Sequence, residues 1–529
     1  MSMPARDLLP DDIDSLKAII AHEREAKTEA LSAHEAEIER LRLQIRLLLA
    51  QRFGAKSERV SEENPQLGLF NEAEAEVDNA TAAEDDTEAT VTTVAAHTRQ
   101  RGHRRPLPAH LPREDVLHDL PEAEKVCPHD GTALTLMGEA TSEQLDIIPA
   151  QIRVLHHRRL KYACPCCHQH VVTAPMPAQP IPKSQASAGL LASIATAKYA
   201  DAQPLYRQSG QFERLGFEAS RQTLASWMVR CGALVQPLIN LLRDRLLESA
   251  YLRMDETTVQ VLKEPGKTAQ STSYLWVQQS GERDRPVVLY DYAPTRSGEV
   301  PKALLGDFRG YLQTDGYAGY HAVVAANDLV PVYCWAHARR YFIEALKAQG
   351  LNPNKLPTKP PDKARRPLKA LTFIRHLYAI EARLRDRPPD ERQARRQTES
   401  MPVLNNCRAW LDGLLPKVLP ASPLGKALGY LDRHWQGLIR YCEDGRLEID
   451  NNRCENAIRP FVTGRKNWLF NDTVHGARSS ANLYSLIETA KANGLAPYPF
   501  LRRAFTELPR ATTVADIEAL LPWATTADS

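Results

Sequence analysis

From Tyr251 the chain turns into short runs rich in β-branched and aromatic residues: YLRMDETTVQVL, SYLWVQQ, RPVVLYDYA, GYLQTD and, after a helical stretch, VPVYCWAH. Strand side chains alternate across the pleat, as Leu252 and Met254 do around Arg253, so these runs predict five strands with helices intervening late. Asp255 ends YLRMD and Asp315 ends GYLQTD, which predicts a carboxylate at the C-terminal end of two strands. Glu455 lies 140 residues beyond Asp315, too far for a loop of the same sheet domain. Residues 349 to about 445 are therefore expected to form an insertion. It opens with the basic, Pro-rich tract NPNKLPTKPPDKARRP. Helical spacing follows at Leu371, Ile374, Leu377, Ile380 and Leu384, then at Leu424, Leu428, Leu431, Trp435 and Leu438. The tract's charge suits either a DNA clamp or a solvated loop. Glu455 follows the polar run IDNNRC and opens a helix-like stretch, ENAIRPFV, with Arg459 one turn on.

Taken singly, a strand-end Asp is an ordinary turn former and a helix-start Glu an ordinary dipole partner. Brought together, Asp255, Asp315 and Glu455 would be hard oxygen ligands for a pair of Mg2+ or Mn2+ ions of the kind that serve phosphodiester chemistry. His337 and Arg340 in CWAHARR, with Arg459, Arg465 and Lys466, are candidate phosphate or transition-state contacts. His337 reads equally well as a buried structural histidine.

The 529 residues suffice for two or three cored domains, and no apolar run is long enough to span a bilayer. With no apolar leader at the N-terminus and an odd count of nine cysteines, a reducing cytoplasmic setting is expected. The net charge of +2 conceals an asymmetry. Residues 61–97 carry ten Asp or Glu and no Lys or Arg, so the remainder holds an excess of twelve positive charges, suited to an anionic polymer. Residues 10–50 predict one helix with Ile13, Ile20, Leu31, Ile38, Leu41, Ile45 and Leu48 in heptad seam positions. Lys17, Arg24, Lys27 and His34 interrupt that seam, leaving a short coiled coil or a surface helix. After the acidic stretch, Arg101, Arg104 and Arg105 in RQRGHRRP form either a minor-groove hook or a solvated basic linker.

Cys127 in CPHDG and the group CPCCHQH, with Cys164, Cys166 and Cys167, frame a small module with strand-like runs between them. Cys164 and Cys167 have zinc-knuckle spacing. A tetrahedral site then needs Cys127 plus Asp130, His129 or Cys166, and a metal-free module is the alternative. From Ser184 to Arg230 the chain reads as helices, with a glycine turn in LGFEASRQT and Ser220 capping the next helix. That spacing is either a helix-turn-helix, with Arg221, Gln222 and Thr223 at the start of a recognition helix, or a plain helical hairpin.

DETTVQV, TDGYAGY, CWAHARR and DNNRCENAIRPFVTGRKNWLF occur in this order. The set resembles the insertion-sequence-66 family of bacterial DDE transposases over nearly the whole chain. The resemblance implies a multidomain α and α/β protein. Its expected parts are a leucine-zipper-like helix (1–60), an acidic linker with a basic hook (61–106) and a zinc-ribbon-like module (107–182). A helix-turn-helix region (183–248), a ribonuclease-H-like catalytic core with the helical insertion (249–480) and a C-terminal helical region (481–529) follow. In that core strands one and four lie side by side. The family has Cys-x2-Cys at the first zinc arm, where this chain has Asp130 in place of the second cysteine. The implied activity is metal-dependent cleavage of terminal inverted repeats and joining of the 3′-hydroxyls to target DNA. Mg2+ or Mn2+ would be the cofactor, structural zinc is left open, and the implied setting is self-association on DNA, away from membranes, with small accessory proteins of the same element. The competing readings are a non-catalytic DNA-binding regulator and a structure-specific nuclease.

Overall fold

The computed structural model describes residues 112–117, 151–163, 171–352 and 361–524, with Lys27, Asp119, Pro121, Lys125, His129, Thr132, Ala133, Leu136, Met137, Ser142 and Gln144. The expected zipper, the acidic linker, Arg101, Arg104 and Arg105 lie outside these, as do Cys127, Asp130, Cys164, Cys166 and Cys167. His129 is described and exposed. The chain divides into a unit of Asp86–Arg158 and a larger one holding Arg159–Ser529. In the smaller unit Lys125 Nζ meets Asp119 Oδ2 at 2.7 Å.

From Arg159 on, the larger unit opens with a short, largely exposed antiparallel pair, β1 (Lys161–Ala163) and β2 (Val171–Thr173). Four helices follow: α1 (Ala188–Ala195), continued by a π-helical turn to Ala200, α2 (Leu205–Arg214), α3 (Arg221–Leu234) and α4 (Gln236–Leu247). The link between α2 and α3 is specified residue by residue. Gly216 takes φ +82°, its N–H bonds Glu213 O, and the N–H of Phe217 reaches back to Phe212 O at 2.9 Å. This left-handed glycine stop is sealed by the Phe212 and Phe217 rings, 6.1 Å apart. Ser220 Oγ then accepts from Thr223 N at 3.1 Å and starts α3.

The sheet comprises β3 (Tyr251–Lys263), β4 (Thr272–Ser280), β5 (Val288–Ala293), β6 (Tyr311–Thr314) and β7 (Val330–Tyr333). Its order is β5-β4-β3-β6-β7, and β8 (Asn471–Thr473) pairs with the far end of β3. β3, β4 and β5 are antiparallel, whereas β6 and β7 run parallel to β3. The crossovers contain α5 (Glu299–Leu305) and α6 (His321–Ala326). VPVYCWAH is not all strand: β7 ends at Tyr333, Cys334 is the N-cap of α7 (Trp335–Ala348), and His337 is helical.

The alternation around Arg253 does not mark a wet face either, because Tyr251, Leu252, Arg253 and Met254 are all buried. Leu252 and Met254 join a core with α1, α3, α4 and α13 (Val474–Ala492). Tyr251, on the opposite side of the strand, joins a second core with Val332, Trp335 and the inserted helices. Those helices are α8 (Asp362–Leu384), α9 (Pro389–Arg395), α10 (Met401–Leu414) and α11 (Pro423–Ile439). Arg253 is only 1% exposed, and Glu448 meets it at 3.2 Å. The remaining helices are α12 (Asn452–Trp468), α14 (Pro497–Glu507) and α15 (Val514–Glu518). On edge strand β5, the N–H groups of Tyr290 and Val288 donate to Ser485 Oγ (2.7 Å) and Thr489 Oγ1 (3.0 Å) of α13, covering an edge that would otherwise invite pairing.

Candidate active site

Asp255 lies within β3 rather than at its end, because β3 continues to Lys263 against β4 and β8. The parallel ladder with β6 stops at Arg253↔Gln313, so continuing that register by two residues sets Asp255 level with Asp315. Neighbouring strands lie about 4.8 Å apart, and level residues of a parallel pair point to the same face. Asp315 follows β6 directly; its Oδ1 accepts from Tyr317 N at 2.8 Å, while its carbonyl accepts from the Tyr430 hydroxyl of α11 at 2.8 Å. The insertion thus steadies the loop that carries Asp315.

Glu455 occupies the first turn of α12, whose start is tied down from three directions. Asn451 donates through Nδ2 to Met254 O of β3 (3.1 Å) and through its backbone N–H to Cys334 Sγ (3.2 Å). Trp335 N donates to Ile449 O (3.1 Å), and Asp450 accepts from the Tyr378 hydroxyl of α8 (2.8 Å). Short polar side chains that bond nearby backbone are the usual organisers of such a helix entry. The DNN run offered that signal in the sequence; Asn451 and Asp450 were nonetheless missed as positioning residues. So was the clamp beside Asp255. Buried Glu256 accepts from Arg296 Nε (2.6 Å) and the Tyr320 hydroxyl (2.8 Å), and the Arg296 guanidinium lies 3.7 Å over the Tyr317 ring.

The acids act on one another through their charges. Burial first, then the charges of Glu256, Glu455 and Asp315, hold the Asp255 carboxyl well above the usual range. Burial pushes Glu455 up to about 7, with Arg340 opposing and Asp315 reinforcing the rise. Among the described residues neither aspartate has an ion-pair partner. His337 Nδ1 stands 3.5 Å from Glu455 Oε1, and Arg340 3.9 Å from Oε2. Burial and Arg340 lower His337 to about 4, so near neutral pH the ring is uncharged and the contact is not an ion pair. Among the described residues, Cys334, His337 and Glu455 bring potential metal-ligating atoms within 4.8 Å of one another, a group that includes neither aspartate.

The other candidates are spread more widely. Arg465 is engaged with β3 through Thr258 O, Thr258 Oγ1 (2.8 Å) and Thr257 Oγ1 (3.3 Å). Lys466 is exposed and Arg459 half-buried on the same helix, and Arg340 is exposed. Arg221 and Gln222 are exposed at the start of α3, whereas the Thr223 hydroxyl is taken up by Ser220 Oγ at 2.9 Å. The exposed face continues through Ser226 and Arg230. The opposite face packs against α13 so closely that a Cβ at Gly232 would come within 2.6 Å of Ser479 Cα.

Residues 183–479 match the Transposase IS66 family. Residues 40–116 match the Transposase C of IS166 homeodomain, 124–168 the zinc-finger binding domain of transposase IS66, and 485–523 the IS66 C-terminal element. Three proteins of Sinorhizobium fredii, each described as uncharacterized, are similar to the chain. To y4qI it is 32% identical, covering 99% of this chain and 98% of that protein. The figures are 34%, 80% and 82% for y4jD, and 30%, 93% and 88% for y4hP. The chain belongs to the IS66 family of transposases, whose members combine DNA-binding parts with a DDE-type domain. No helix among the described residues is long and apolar enough to cross a membrane.

Proposed function

We propose that this chain is an active DNA transposase, which binds the terminal inverted repeats of its element, cuts at their ends and joins the 3′-hydroxyls to target DNA. The observation that carries this reading is the parallel register of β3 with β6, which, continued two residues past the last ladder pair, sets Asp255 level with Asp315 just after β6, with Glu455 of α12 close enough to act on the Asp255 charge. The sheet order β5-β4-β3-β6-β7, with three antiparallel strands followed by two parallel ones, supports assignment to the ribonuclease-H-like class.

The donor set fits divalent metal. Among the described residues the two aspartates have no ion-pair partner and the buried Glu455 Oε1 has no hydrogen bond, and all three are hard oxygen donors suited to Mg2+ or Mn2+. When bound, such a metal pair supplies an activated oxygen nucleophile and stabilises the leaving oxygen. The chain's own contribution is placement. Asn451 fixes the entry of Glu455, the Glu256–Arg296 clamp steadies β3 beside Asp255, and Arg340 and Lys466 offer cations to DNA phosphates. Arg221 and Gln222 are assigned to reading the terminal repeat, with Arg230 farther along α3 and Arg101, Arg104 and Arg105 contacting phosphate. Structural zinc at Cys127, Asp130, Cys164 and Cys167, self-association through residues 1–60, and accessory proteins of the element complete the proposal.

The test is cleavage of DNA carrying the gene's flanking repeats. Asp255→Asn, Asp315→Asn and Glu455→Gln are each expected to abolish Mg2+-dependent cutting while leaving end binding largely intact. Cutting at undiminished rate by any of them removes that residue from the site.

A further inference from the structure

We propose that Cys334, His337 and Glu455 form a mixed-donor metal position that takes a Zn2+-class ion, Zn2+ or Co2+, rather than Mg2+. It rests beside the carboxylate site proposed above, shares Glu455 with it and takes its other two ligands from the start of α7. Cys334 ends the β7-to-α7 junction and His337 follows in the first turn of α7, so the Cys-x2-His spacing brings sulfur and imidazole to one side of a helix start. Glu455 arrives from the first turn of α12.

Three observations converge on a cation. His337 Nδ1 and Glu455 Oε1 face each other at 3.5 Å, yet both are buried without a hydrogen-bond partner, an arrangement folded proteins ordinarily avoid. The Glu455 side chain is only 4% exposed. Cys334 Sγ, fully buried, accepts the N–H of Asn451 at 3.2 Å, which fixes the sulfur beside Glu455 and His337. The geometry is within reach of coordination. A tetrahedral zinc site has neighbouring donor atoms about 3.3 to 3.6 Å apart, from bond lengths of roughly 2.0 to 2.3 Å. The His337–Glu455 separation already meets this, and the whole set lies within 4.8 Å. One sulfur, one nitrogen and one oxygen donor suit a borderline ion far better than Mg2+, and three protein ligands leave a fourth position open. Binding releases the thiol proton to solvent.

The test is Co2+ titration of metal-stripped, full-length protein in which Cys127, Cys164, Cys166 and Cys167 are replaced by serine, so that sulfur from the N-terminal module cannot contribute. The expected result is one bound Co2+ with thiolate-to-cobalt charge-transfer absorption. Cys334→Ser should abolish that absorption, and His337→Gln should weaken Co2+ binding by at least about tenfold. Absence of the band in the parent, or its survival in Cys334→Ser, overturns the proposal. Should Cys334→Ser fail to fold, unchanged Co2+ affinity in His337→Gln overturns it equally. Asp255→Asn should keep the band, and if that variant also cleaves DNA normally, the carboxylate reading fails while this metal position stands.

Discussion

Arg253 is a full cation inside the sheet, held by Glu448 at 3.2 Å, the Tyr251 hydroxyl at 3.1 Å and Ser280 O at 3.3 Å. Removing one partner of such a pair strands the other charge in a low-dielectric interior. Glu448→Ala should therefore destabilise the protein by about 3–5 kcal/mol, read as a lowered urea midpoint. An effect below about 1 kcal/mol, typical of surface pairs, would mean that Arg253 is effectively solvated. Glu455 yields a pH prediction. Its folded value near 7 lies above the usual 4.5, so the folded state holds the proton more tightly. The associated stability is fully present below about 4.5 and is lost as the pH rises through about 7, amounting to at most ~3 kcal/mol. Asp255 is shifted in the same direction. Metal-free protein should melt progressively lower from pH 5 to 7.5, and Glu455→Gln should flatten that slope. A slope unchanged by Glu455→Gln would show that the carboxyl is not held as described.

At the level of elements, helix entries decide the geometry. Asn451 joins β3, the start of α7 and the start of α12, so Asn451→Ala should lower DNA cutting more than tenfold without weakening end binding. Full cutting by that variant would show that α12 is positioned without this tie. The α2–α3 link makes a separate claim. Gln222 is exposed at the start of α3, whereas Ser220 serves the cap. Gln222→Ala should erode preference for terminal-repeat over random DNA. Arg230→Ala should weaken both alike and flatten the salt dependence, as loss of a phosphate contact does. The same outcome from both variants would place base reading elsewhere. Ser220→Ala should instead cost about 1 kcal/mol of stability.

Across the molecule, what could be read from the sequence follows a physical divide. Local signals were legible. The five strand-like runs, the glycine turn at Gly216, the Ser220 cap and the periodicity of α8 and α11 depend on neighbours in the chain. Contacts between distant segments were not. Nothing near Arg253 announces Glu448, and nothing near Cys334 announces Asn451, because those pairings exist only after the inserted helices cover the sheet's second face. Strand-end placement of Asp255 failed for a related reason: β3 outruns β6 and continues against β4 and β8. The acids themselves were named by residue type and motif, while their level register required the sheet.

The proposed metal-dependent chemistry on DNA rests on Asp255, Asp315 and Glu455 acting together. It is tested most directly by Mg2+-dependent joining of a pre-cut element end to target DNA, comparing wild-type protein with Asp255→Asn, Asp315→Asn and Glu455→Gln at matched end occupancy. Each substitution is expected to lower the joining rate by at least on the order of 10²-fold with binding retained. Joining within a few-fold of wild type by any one of the three would exclude that carboxylate from the chemistry.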